Sequence, residues 1–93
     1  MAEEERPAPE DLAEQFRRLK VTDLLVSTMS TVAQLAYAKL AEETRDLDEA
    51  RLAIESLRAL LPVLEGSIHE DAIRDFRQVV SNLQLAYAEA AAG

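Results

Sequence analysis

The densest group of residues able to do chemistry is acidic: Glu42, Glu43, Asp46, Asp48 and Glu49 fall within eight positions. Their oxygens could hold a hard cation, but the glycine-centred twelve-residue loop that shapes a calcium site is absent. Acids gathered at a helix start stabilise its positive end, and that is enough to explain them. Hydrolysis across a cleft needs one chosen pair of carboxylates, and the spacing here singles out none. His69 with Asp71 and Asp75 makes a second group, yet one imidazole without another nitrogen or sulfur ligand is a weak transition-metal site. A histidine in a turn is more simply a solvated or capping group. The two phenols, Tyr37 and Tyr87, each lie on an apolar stripe with no acid or base fixed beside them.

The remaining composition closes other routes. The chain has no cysteine and one histidine, which removes thiolate nucleophiles, disulfides and zinc clusters. Gly66 and Gly93, its only glycines, cannot assemble a phosphate loop. No catalytic, cofactor-binding or metal-ligating residue is assigned, and the chain is not expected to be an enzyme. Surface carboxylates acting as an enzyme site rank third among the readings below.

Ten bases against eighteen acids give a net charge of −8. Five acids and Arg6 place −4 of this in residues 1–11, and the other 82 residues carry the remaining −4. Nucleic acid is bound by neutralising phosphates with Lys and Arg, so no nucleic-acid partner is expected. The one basic group, Arg17, Arg18 and Lys20, suits the last turn of a helix. The start Met-Ala-Glu-Glu-Glu-Arg-Pro lacks the basic-then-apolar order of a secretory signal, which points to a cytoplasmic location. The longest uncharged run, Leu24 to Ala38, is 15 residues broken by Ser27, Thr28, Ser30, Thr31 and Gln34. That is short of the ~20 apolar residues a membrane span needs.

Positioning these residues requires helices. Residues 1–9 hold Pro7 and Pro9 and no periodicity, and read as a disordered acidic tail before one domain over 10–92. Leu12, Phe16 and Leu19 predict a short helix over 10–20, either continuous with the next or broken near Thr22, a candidate cap. The next helix, 22–41, is apolar over two stripes. Leu25, Met29, Val32 and Ala36 form one, widened by Leu24 and Leu35; Val26, Ala33, Tyr37 and Leu40 form the other. A third helix, 47–65, starts from a cap by Asp46 with Glu49 three residues on. It repeats Leu47, Ala50, Ile54, Leu57, Leu61 and Leu64 in a heptad seam, with a kink expected at Pro62 and Gly66 closing its end. A fourth, 69–91, carries Ile73, Phe76, Val80, Leu83 and Tyr87 in the same rhythm. Its cap is either Ser67 with Glu70, or His69 with Ile68 stapled on Ile73. Gln34-Leu35-Ala36-Tyr37-Ala38 also recurs as Gln84-Leu85-Ala86-Tyr87-Ala88, fifty positions on.

The fold class expected is therefore all-α: a bundle of one long apolar helix and a heptad-patterned αα-hairpin, completed by dimerisation. A helix apolar on most sides has more surface than a three-helix chain is expected to cover, the alternative being a two-sided core within one chain. Leu25, Val26, Met29, Val32, Ala33, Ala36, Tyr37 and Leu40 are accordingly expected at a self-association interface.

Three blocks resemble a bacterial domain-of-unknown-function family, number 1844: Val21 with Leu24-Leu25-Val26-Ser27; Asp46-Leu47 with Ala50, Ile54, Leu57 and Leu60; and Leu83 to Tyr87. They cover residues 21–88. Relatives carry Gly, a Thr-led cap and Arg where this chain has Tyr37, His69 and Gln84, so no role resting on that arginine transfers. The resemblance implies a small helical protein with no catalytic residues to carry over, and it ranks translation-related proteins first among basic partners. The reading is a non-enzymatic cytoplasmic protein acting through self-association and protein–protein contact, without cofactor. The competing reading is an acidic regulator of a basic partner.

Overall fold

The computed structural model describes residues 9–93 and is all-helical, with no strand among them. Apart from Pro9, the expected tail lies outside the described residues. Helix α1 spans Pro9–Arg18, α2 Val21–Leu40, α3 Leu47–Leu64 and α4 Glu70–Ala92, with a 3-10 turn at Glu42–Thr44. Pro9 opens α1, where a missing N–H is harmless. Glu10 and Asp11 in its first turn and Arg17 and Arg18 in its last complement the helix dipole.

Residues 10–41 form two helices rather than one. The break falls at Leu19 and Lys20, not at Thr22. Lys20 is the cap of α2 in extended conformation (φ −92°, ψ 138°), with no side-chain hydrogen bond. Its carbonyl accepts the Leu24 N–H at 3.1 Å, so α2 starts without the hydroxyl cap that Thr22 offered.

Helices α2, α3 and α4 pack around one apolar core. Met29, Ala33, Ala36 and Leu40 of α2 are buried with Ala50, Ile54, Leu57, Leu61 and Leu64 of α3 and Ile73, Val80 and Leu83 of α4. Leu47, Phe76 and Tyr87 are half-buried against them. The α2–α3 contact is the most extensive and α2–α4 the least, so α3 is the central element. No polar residue is buried among those described, which spares the core the cost of unpaired groups.

Each chain reversal has a local cause. Asp46 accepts the Glu49 N–H at 3.1 Å, as the spacing predicts. Past α3, Glu65 (φ −59°, ψ 129°) and Gly66 (φ 83°) with the Ser67 N–H on the Leu64 carbonyl at 2.9 Å make a type II turn. His69 caps α4, its Nδ1 accepting the Asp71 N–H at 3.2 Å, so of the two arrangements weighed the histidine one forms. Ile68 and buried Ile73 line one hollow beside that cap. α3 stays helical through Pro62 to Leu64.

Candidate functional site

The eight residues expected between copies are mostly spent inside one chain. Met29 and Ala36 are fully buried, Ala33 and Leu40 nearly so, and Leu25, Val26 and Val32 pack half-buried on the same core. Only Tyr37 is exposed. The physical reason is that α2 sits against both other helices, so its two apolar stripes are both used. Val32 lies in the groove with α3, while Val26 lies in the groove with Phe76 and Val79 of α4. Met29, Ala33, Ala36 and Leu40, buried in their own chain, could touch a second copy only if that core opened.

What α2 leaves outside is a third line. Leu24, Thr28, Thr31 and Leu35 recur at spacings of four, three and four, and all four are exposed. On α3, Leu52, Ser56, Ala59 and Val63 recur at the same spacings, and Leu52 and Ser56 lie in the groove with α2. The groove between the two lines is lined by Val32, Leu35, Leu52, Ala53 and Ser56. Leu24 and Leu35 are 53% and 52% exposed, Leu52 and Val63 63% each. Large aliphatics thus stand toward the ends of both lines, with small residues between them. The face carries no charge between its ends. Lys39 and Glu49 close it near the α2–α3 turn, and the charges of α3 at Arg51, Glu55 and Arg58 lie on the opposite flank, toward α4.

Helix α1 adds a second apolar surface. Leu12, Phe16 and Leu19 are 52%, 72% and 57% exposed, and α1 packs on none of the other helices. Its charges pair among themselves at the back, Glu14 with Arg17 at 3.2 Å and Arg18 at 3.9 Å.

The chemical candidates do not converge. Glu42 and Glu43 lie exposed in the 3-10 turn, Asp46 caps α3, and Asp48 and Glu49 occupy its first turn. Among the described residues no three His, Asp or Glu side chains are grouped to hold a metal ion. His69 contacts Asp71 (Nδ1 to Oδ2, 3.6 Å) at the surface, while Asp75 lies in the α2–α4 groove. Tyr87 lines a groove with Arg51, Glu55 and Gln84. No helix among the described residues is long and apolar enough to cross a membrane.

The uncharged run from Leu24 to Ala38 signalled this face. Weighed as a membrane length it gave nothing; weighed as a helix surface it marks one whole side of α2 without charge in a chain where 30% of residues are charged. Comparison with known proteins finds no family model, no curated protein and no solved structure that matches the chain.

Proposed function

We propose that the protein is a non-enzymatic helical interaction protein that works by self-association through the face formed by α2 and α3. The observation that carries this reading is four large aliphatic side chains, Leu24, Leu35, Leu52 and Val63, each more than half exposed on a surface whose charges, Lys39 and Glu49, stand at one end. Aliphatic residues held in water in such a group mark a contact surface, because covering them stabilises by about 25 cal/mol per Å2. The small residues between them let another backbone approach.

Light scattering on the purified chain over a concentration series tests the reading. The expected mass is twice the 10.3 kDa of one chain, insensitive to salt, because an apolar contact is not screened. Leu35→Glu with Leu52→Glu is expected to give a monomer of unchanged helicity. A wild-type chain that stays monomeric, or that associates only with basic proteins and only at low salt, overturns the reading in favour of the acidic-regulator alternative.

A further inference from the structure

Helix α1 and the α2–α3 face have one property in common, an apolar surface without a partner, and their dimensions agree. Ten residues make α1 about 15 Å long, and the line from Leu24 to Leu35 is about 16 Å. Leu12 and Phe16 stand at i and i+4 on α1 and Leu19 follows directly after its last residue, at i+7, the spacing with which an amphipathic helix seats in an apolar groove. The groove carries one cation and one anion, Lys39 and Glu49, at its end near the α2–α3 turn, beside Leu35 and Leu52. Glu14, Arg17 and Arg18 are on the far side of α1, and the face on α2 and α3 is charge-free between its ends.

In the structure α1 does not lie in the groove of its own chain, because it packs on none of the other helices. The two reversals in this molecule use six connecting residues, Ala41–Asp46, and five, Glu65–His69. The second also uses Gly66, the only residue with positive φ among those described. Between α1 and α2 stand only Leu19 and Lys20, without glycine, and Lys20 is extended. Across this joint α1 makes no contact with α2, α3 or α4.

We infer that α1 is an exchanged arm: in a dimer, the α1 of each copy lies in the α2–α3 groove of the other, supplying the fourth helix of a bundle that one chain leaves three-sided. This rests on the self-association proposed above and names its occupant. Area supports it. The face is roughly 16 Å by 20 Å, or roughly 300 Å2, for helices 8–10 Å apart, whereas a stable dimer buries about 800 Å2 per partner. A face alone falls in the range of weak, transient contacts. Each copy in a reciprocal exchange covers its own arm and its own face together, which about doubles the area to ~600 Å2 per partner, the lower end of the range for specific interfaces. The arm donates Leu12, Phe16 and Leu19; the groove receives them among Leu35, Leu52 and Ser56. Domain exchange of this kind needs no new surface, only a hinge that points outward.

Two measurements on the full chain test the exchange. No residue described on α1 beyond Pro9 is buried, so Phe16→Asp is expected to keep its helicity and melting temperature as a monomer. It is expected to scatter as a 10.3 kDa monomer where the wild type is a dimer. A Phe16→Asp variant that remains a dimer overturns the exchange and leaves self-association through the α2–α3 face standing; a wild-type monomer overturns self-association itself. The second measurement uses the absence of native cysteine. A tagged Phe16→Cys chain mixed with an untagged Ser56→Cys chain and treated with a short bismaleimide is expected to give the mixed dimer. Cross-linking that joins Phe16→Cys only to itself shows arm against arm and overturns the proposal.

Discussion

Arg45 donates from Nε and Nη2 to the single carbonyl of Leu40, at 3.3 and 3.1 Å, and so closes the end of α2 from across the 3-10 turn. The Thr44 hydroxyl donates to the Ala38 carbonyl and the Asp46 N–H to that of Lys39 at 2.8 Å. Three successive carbonyls that a helix end leaves unpaired are thereby satisfied by three successive residues. The cation also sits at the negative end of the α2 dipole. Arg45→Ala is expected to cost about 1.5 to 3 kcal/mol, the range for a hydrogen bond to a charged group. Arg45→Lys, which cannot present a fork, should recover only part of it in a thermal melt.

Met29 and Leu35 should respond oppositely to truncation. Met29 is fully buried and Leu35 half exposed, so Met29→Ala is expected to lose about 2 to 5 kcal/mol. Leu35→Ala should lose less than about 0.5 kcal/mol in the monomer. Urea melts at a dilution where the protein is monomeric separate the two. Equal losses would mean that Leu35 is covered within its own chain.

Gly66 has no heavy atom within 4 Å of where a Cβ would stand, but its φ is 83°. Space is free and only the backbone objects. Gly66→Ala is expected to destabilise by about 1 kcal/mol, and Gly66→Asn by less, because asparagine tolerates the left-handed region better. Melting temperatures of both variants check the order.

Asp46 caps α3 through its Oδ1. Replacing it with Ala is expected to cost about 1 kcal/mol, and with Asn almost nothing, since the amide oxygen accepts the same N–H. A similar loss for both would show that charge near the helix start matters more than the hydrogen bond.

Pro62 is exposed in the last turn of α3 and leaves the Arg58 carbonyl without its helical donor. Pro62→Ala should raise the melting temperature, by an amount set by about 1 kcal/mol or more of recovered helix propensity. A fall would show that the ring itself is needed where α3 meets its turn.

The amino-acid sequence by itself determined the elements. Heptad spacing from Leu47 to Leu64 and from Ile73 to Tyr87, the Asp46 cap and the need for glycine at position 66 are properties of neighbouring residues, and local hydrogen bonding and sterics act on them wherever the helices lie. The direction in which α2 turns was not determined in this way. Its apolar residues cover more than half its circumference, so periodicity offers several inward faces of similar quality, and only the positions of α3 and α4 choose among them. That choice buried Met29, Ala33, Ala36 and Leu40, which the pattern had offered to a second copy, and left Leu24 and Leu35 outside. It also set the charge-free flank of α3 beside the charge-free flank of α2, although the two lie about twenty-eight positions apart in the chain. Spacing along a chain fixes which residues share a helix face. Which face meets water depends on contacts between distant segments, and those exist only once the helices have packed.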